Sequence, residues 1–540
     1  MNGRELIIKA VRGESVPRVP WVPFVGCHGG ALIGVSARDY FHSAEHMARA
    51  ASEAVARYRP DGLPVTFDLQ IEAEAMGCEL IWADENPPAV RSHPLAEGVS
   101  LSDLRVPERG QGRIALILEA AAKIRENHPD VALYGLITGP FTLALHLMGT
   151  DLFMEMFEGE SRIHELLAFC REVSEKMAQY YIEAGCDVIA VVDPMTSQIG
   201  PDHFRQFVLE PASQVFAAIR KSGVLSSFFV CGQAQQNIEV MCQCKPDNVS
   251  IDENIPLDYV RDVCRKQGIS FGGNMKLTVV LLLGNELDCQ RHALSCLEIG
   301  GSEGFILAPG CDLPYATPAK NLAAVAGIVH DSYQRDVVRT LESAEDEGDV
   351  LDMSEYGKMD KVIVDIITLD SESCAPCQYM VEAVKAVAPH FEGIVEWREH
   401  KIKHPDSVTL MTSLMVKNVP TICIDGKMTF ISRIPPKEEL VAAIQKRILE
   451  KMHYRIRAKK GSVFILGKDR AECEKLVPLV EQAFQELGAD MTLQCITDEK
   501  QRIELGVLKT PALVVASYKL KAEGSVPSVP IIKEWLKDIV

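Results

Sequence analysis

Short apolar runs separated by longer amphipathic stretches set the rhythm of the chain from residue 1 to about 340. The apolar runs predict strands at Val22–Val25, Leu63–Phe67, Ala132–Ile137, Val188–Val192, Ser227–Val230, Val249–Ile251, Ser270–Gly272 and Gly304–Ala308. Between most of them apolar residues recur at helical spacing, as in Gly112–Asn127, Arg162–Ala184 and His203–Lys221. About eight strand–helix units over this length predict an α/β architecture, a (β/α)8 TIM barrel. A doubly wound open sheet is the alternative, but no Gly-rich dinucleotide fingerprint follows the first strand.

The rhythm then breaks. Residues 341–360 are acidic and lack apolar periodicity, which reads as a linker. From Val362 the order becomes strand, a Cys374-to-Cys377 turn, helix Gln378–Ala388, strand Ile394–Arg398, helix Ser407–Val416, two strands about Asp425-Gly426, and helix Pro436–Lys451. That βαβαββα order predicts a thioredoxin-like fold over 361–452. After a basic connector the pattern repeats over 460–540, with strand Ser462–Leu466, helix Arg470–Leu487, strand Met491–Thr497 and a closing segment Ile531–Val540. The second unit lacks the cysteine pair: Cys473 stands alone, with Arg470 at the first cysteine's place, so this repeat is expected to be inactive in redox chemistry.

Charge narrows the partners. Lys and Arg number 56 and Asp and Glu 75, so the net charge is 56 − 75 = −19. Nucleic acid and anionic membrane surfaces are therefore not expected partners. No apolar run reaches membrane-spanning length and the N-terminus has no export signal, so the expected compartment is the cytoplasm. The 16 cysteines are scattered, without a secreted disulfide framework, and read mostly as reduced thiols.

Two of those thiols end apolar runs. Cys231 follows Phe228–Val230, and Cys311 follows Phe305–Ala308 and a Pro309-Gly310 turn. A strand that delivers a thiol at its carboxyl end delivers it to the mouth of a barrel, so the two suggest a metal or thiol site. Zinc needs more than two ligands; His28, beside Cys27, and Glu253, after its own strand, are the candidates to complete it. Asp68, His146, Asp193 and Asn274 also fall at or after strand ends. In the tail, Cys374-Ala375-Pro376-Cys377 opens a helix. There the dipole and free N–H groups are expected to lower the Cys374 pKa from about 8.5 toward 7 or below. Cys374 would attack, Cys377 would resolve, and Pro420 is expected to follow a cis bond.

The stretches FDLQIEAEAMGCE (Phe67–Glu79), GPFTLALHLMG (Gly139–Gly149), DPMTSQIGPDHF (Asp193–Phe204), FVCG (Phe229–Gly232), GGNMK (Gly272–Lys276) and FILAPGCDLPYATPAKNL (Phe305–Leu322) resemble the uroporphyrinogen decarboxylase superfamily. They are closer to its branch of methylcobamide:coenzyme M methyltransferases. The resemblance covers nearly all of residues 1–340. It aligns Asp68 with the decarboxylase's catalytic aspartate. The first-strand segment VPWVPFVGCHGGALIG, however, carries no arginine to grip substrate carboxylates. The methyltransferase branch implies a zinc ion held by His-x-Cys and a distant cysteine. Cys231 and Cys311 match the cysteines, and Phe229 stands at the histidine position.

The resemblance thus implies a corrinoid-dependent methyltransferase, acting on a thiol or soft nucleophile, fused to a dithiol module. Asp68, His146, Asp193 and Asn274 would face the corrinoid, with Asp68 catalytic. No Asp-x-His-x-x-Gly stretch occurs, so the corrinoid would arrive on a partner protein. Thioredoxin reductase or another dithiol donor would reset Cys374 and Cys377, and a homodimer remains open. The alternatives are a thiol–disulfide oxidoreductase with a non-catalytic barrel, and a uroporphyrinogen decarboxylase.

Overall fold

The computed structural model describes residues 1–158, 160–341, 356, 361–372, 374–416, 418–456, 462–487, 492–504, 507, 509–515, 519–523, 529 and 532–533. The expected acidic linker at 341–360 lies outside them except for Leu341 and Tyr356, as does most of the expected closing segment at 531–540.

Seven parallel strands form one sheet in sequence order: β1 (Gly62–Pro64), β2 (Ala132–Thr138), β3 (Val188–Val192), β4 (Leu225–Val230), β5 (Asn248–Ile251), β6 (Ser270–Met275) and β7 (Phe305–Pro309). Helices α1 (Gly112–Asn127) and α2 (Pro140–Met148) precede and follow β2. The sheet curls into a barrel-like domain because one short segment touches both of its edges. Val22 N donates to Leu307 O and Leu307 N to Pro20 O, each at 2.9 Å, while Asp61 N donates to Trp21 O at 2.8 Å. The strand expected at Val22–Val25 is therefore only a bridge at Trp21. Pro20 and Pro23 flank that bridge and cannot donate to a ladder.

Alternation along the strands separates two apolar layers. Phe24, Phe67, Leu136, Val192, Phe229 and Ile306 pack inside the curl. Val191, Phe228, Val230 and Leu307 face the surrounding helices in a larger cluster. Phe229 lies against Phe24 at 5.2 Å and Phe67 at 5.8 Å between ring centroids, contacts of about 0.5–1.5 kcal/mol each beyond area burial. This aromatic floor closes the barrel beneath its mouth.

Two smaller four-stranded sheets follow, with identical order and sense. In the first, β8 (Val362–Thr368) pairs parallel with β9 (Val395–Lys401) and antiparallel with β10 (Thr421–Ile424), which pairs antiparallel with β11 (Lys427–Ile431). In the second, β12 (Ser462–Leu466), β13 (Thr492–Ile496), β14 (Ala512–Val515) and β15 (Lys519–Glu523) repeat that scheme. Val419–Pro420 and Thr510–Pro511 are both cis, each just before the third strand of its sheet. Helix α3 (Ala375–Val387) opens at the cysteine pair. The single helix expected at Arg470–Leu487 is broken into Arg470–Cys473 and Val477–Leu487. Pro478 enters at the start of the second piece, where a missing N–H is tolerated.

Candidate functional site

Cys231 follows β4 and Cys311 follows β7, on opposite sides of the intervening strands. The sheet's curl brings their Sγ atoms to 3.1 Å, Cys231 donating to Cys311, although eighty positions separate them. Both cysteines are free thiols. That separation exceeds the S–S bond of about 2.05 Å. It is shorter than the roughly 3.8 Å between two thiolates on a tetrahedral zinc with bonds of about 2.3 Å. The bond to Cys311 and then burial push the Cys231 thiol well up, with Asp252 and Cys374 adding their charge.

The same cavity, about 140 Å³, is lined by Cys231, Cys311 and, from the tail, Cys374. The tail is thus docked on the barrel. Gln378 Nε2 donates to Val90 O at 2.8 Å, Asn86 Nδ2 to Glu372 Oε2 at 3.1 Å, and Ile434 N to Gln198 Oε1 at 3.2 Å. Tyr379 joins the barrel's apolar cluster with its ring 6.1 Å from that of His93. Docking changes the thiol chemistry expected at the start of α3. The hydrogen bond with Cys377 and then burial push Cys374 well up, so the lowered pKa does not hold in this arrangement.

His146, on α2, lines the cavity. Burial lowers its pKa to about 3, so it is neutral, and its Nδ1 has no hydrogen-bond partner. Three other expected contacts are engaged elsewhere. Asp68 pairs with the buried guanidinium of Arg113, which also bonds Glu74 at 2.6 Å, while Asp68 Oδ1 accepts from Gln70 N at 2.9 Å. Its neighbours Phe67, Leu69 and Gln70 line the cavity; Asp68 does not. Asp193 caps α2, accepting from Phe141 N at 3.1 Å and from Thr142 N and Oγ1 at 2.8 and 2.6 Å. Burial raises its pKa to about 6. Asn274 bonds the carbonyls of Asp252 and Ile255 at 3.2 and 2.8 Å, bracing the loop after β5. These three side chains brace the mouth and do not line the cavity themselves.

The zinc candidates part company too. His28 has both ring nitrogens occupied, Nδ1 by Tyr315 O at 3.1 Å and Nε2 by Tyr58 Oη at 2.8 Å. Glu253 is buried behind the Cys311 turn. A Cβ on Gly310 would stand 2.6 Å from its Oε2, so the turn passes against the carboxyl only because residue 310 is glycine. Burial and then Asp252 raise the Glu253 pKa to about 8, and Oε2 is unpartnered. Phe229 is held in the aromatic floor. Among the described residues no group of three His, Cys, Asp or Glu side chains is arranged for a metal. The residues present do not fit a zinc ion, and no step is derived through one.

Several lining residues were not read from the sequence. Asp312, next to Cys311, accepts from Gly26 N at 2.8 Å and Cys27 N at 3.4 Å, and burial raises its pKa to about 8. Gly26 is required there, since a Cβ would come within 2.3 Å of Asp312. Leu277, Thr278 and Leu282 line the cavity from a π-helical turn after β6. Lys403 enters from the tail, tied at 2.6 Å to Asp370. Only the adjacency of Asp312 to Cys311 was available as a signal.

Among the described residues no helix is long and apolar enough to cross a membrane. A family model described as uroporphyrinogen decarboxylase matches residues 2–332, and one described as thioredoxin domain matches 462–537. A methylcobamide:CoM methyltransferase of Methanosarcina acetivorans is 27% identical over 326 residues, covering 59% of this chain and 95% of that protein. A uroporphyrinogen decarboxylase of Anaeromyxobacter dehalogenans is 24% identical, covering 60% and 97%. A solved methyltransferase from Methanosarcina mazei superposes with a TM-score of 0.57 at 26% identity, covering 63% of this chain and all of that one.

Proposed function

The chain belongs to the uroporphyrinogen decarboxylase family, and from that premise we propose that its barrel-like domain moves a methyl group between a corrinoid carried by a partner protein and a small thiol or other soft nucleophile. The observation that carries this reading is the meeting of Cys231 and Cys311 at 3.1 Å in a cavity at the carboxyl ends of the strands. We divide the chain into that domain at 1–340, a linker at 341–360, a thioredoxin-like dithiol module at 361–452 and a second such unit, without the pair, at 460–540.

The partner's corrinoid is the methyl-bearing substrate. The chain's own part is to hold and orient the acceptor, whose proton is lost to the medium, and to exclude water from the transfer. His146, neutral with an unpartnered Nδ1, is placed to hydrogen-bond the acceptor thiol and orient it; with its pKa lowered to about 3 it does not keep the proton. The apolar lining, with Phe67, Leu69, Leu277 and Leu313, keeps water from competing as the acceptor. Cys231 and Cys311 are the soft groups nearest the transfer. Cys374 and Cys377, with Pro420 before the third strand, form the dithiol module, for which thioredoxin reductase or another dithiol donor is the expected reductant.

Supplying free methylcob(III)alamin and a small thiol tests this. Loss of the methyl–cobalt absorbance is expected, slowed by roughly a hundredfold in Cys311→Ser or His146→Ala. An unchanged rate in both would overturn it. One observation favours a second reading, a thiol–disulfide oxidoreductase with a non-catalytic barrel: Phe229 fills the floor where the branch resemblance expects a histidine. The decarboxylase reading is disfavoured, because Lys403 is the one cation among the described lining residues and Asp370 already binds it.

A further inference from the structure

Two dithiols face one cavity. The strand-end pair is in sulfur–sulfur contact. The helix-start pair is carried onto it by the docking of α3, with Ala375 packed on the barrel's apolar cluster and Cys374 and Pro376 lining the cavity. Cys377, immediately behind, is wholly buried. This is the order a relay requires: an attacking sulfur at the shared surface and a resolving sulfur behind it. Cys374 lines the same cavity as Cys231, and its charge bears on that thiol.

We infer that Cys231 and Cys311 are a second redox-active pair, and that Cys374 and Cys377 reduce their disulfide directly, through a mixed disulfide that crosses the domain interface. The Cys374 thiolate attacks Cys231 Sγ of the barrel disulfide. A Cys374–Cys231 bond forms, the Cys231–Cys311 bond breaks, and Cys311 leaves as a thiolate that takes up a proton. The Cys377 thiolate then attacks Cys374. A Cys374–Cys377 bond forms and Cys231 leaves, also to be protonated. Two electrons and two protons pass from module to barrel. A soluble disulfide supplies the oxidant and an external dithiol resets the module. The inference rests on reading this mouth as the reaction centre, and it adds that the centre works only with its own thiols reduced. Its test uses no methyl donor.

The full chain, reduced and freed of reductant, is treated with limiting oxidised glutathione, quenched by alkylation and digested for mass spectrometry. In Cys377→Ser, which lacks the resolving sulfur, the Cys231 and Cys374 peptides are expected to be joined as the main product. In Cys377→Ser/Cys231→Ser that link is expected to disappear. A second measurement keeps the idea open to refutation if Cys377→Ser does not fold. The barrel disulfide, formed in wild type and in Cys374→Ser, is reduced by added dithiol, and its lifetime should lengthen by at least about tenfold in the variant. Glutathione caught on Cys374 with no barrel link, or equal lifetimes in the two proteins, would overturn the relay. Loss of methyl transfer with the link intact would overturn the methyltransferase reading alone.

Discussion

The two dithiols of this molecule are built by opposite means. Cys374 and Cys377 lie within one helical turn, and their spacing alone brings them together. Cys231 and Cys311 are eighty positions apart and meet only because four successive parallel strands carry them round the same rim. The local pair survives or fails with four residues. The distant pair is a property of the whole barrel, and any change that loosens the curl separates it. The second small unit makes the contrast sharper. It keeps the sheet order and the cis proline of the first, yet its helix start carries Arg470 and a buried Cys473 in place of a pair. It is this unit, not the one with the pair, that the thioredoxin model matches. Sheet order and cis proline recur in both units, while the cysteine pair stands in only one of them.

The comparison can be broken most severely at the local pair. Cys374→Ser is expected to lower insulin-disulfide reduction by about a thousandfold, while Cys473→Ser stays within about twofold of wild type; equal loss in both would erase the distinction between the repeats. Next, the scaffold of the distant pair can be attacked where neither thiol is touched. Arg113→Ala leaves the Asp68 carboxylate buried without its partner, and should cost about 3–5 kcal/mol in the barrel's urea unfolding. The module's reductase activity should be unchanged.

Phe229→His offers the strand-end thiols a third ligand. Zinc affinity by competition with a chelator should rise at least about tenfold if the new imidazole reaches them; no gain means the aromatic floor turns it away. The two thiols of the local pair can be set apart by pH. The hydrogen bond with Cys377 and burial raise the Cys374 pKa, so its alkylation in the full chain should still be climbing at pH 9, the ordinary thiol value. Cys377→Ala should bring that midpoint down, and a midpoint near neutrality in wild type would mean the module is not seated.

The smallest effect concerns the turn that presents Cys311. The Glu253 carboxyl is raised from 4.5 to about 8 by burial. Its contribution is therefore greatest in acid and is lost as pH rises through about 8. Glu253→Gln, neutral throughout, should gain stability relative to wild type over that window, read as the difference between paired denaturation curves at pH 5 and 8.

What could be read from the chain follows the same division between near and far. Strand-end cysteines, the helix-start pair and the prolines before the third strands are local patterns, and local patterns survive without coordinates. Side-chain direction is what such patterns do not carry. A carboxylate after a strand reads alike whether it faces a mouth or caps a helix. Asp193 is turned to Phe141 and Thr142, some fifty positions earlier, and Asp68 to Arg113, forty-five positions later. Nothing in the sequence around Asn274 announces the two carbonyls it braces. His28 looked available beside Cys27 until Tyr58 and Tyr315 closed on both its nitrogens. The β-strand expected at Val22 shrank to one bridge because the prolines about it cannot complete a ladder.

The seat of α3 on the barrel has a kinetic meaning. Ala375 and Pro376 of α3 form part of the wall of the cavity that holds the barrel thiols. On the proposed function a corrinoid carrier would have to reach the thiols past this wall, so carrier and tail would compete for one doorway, and the tail, being covalently attached, would not be diluted away. Turnover would then saturate with carrier only as fast as the tail vacates, and cutting the tether would turn an internal rival into an ordinary, dilutable inhibitor.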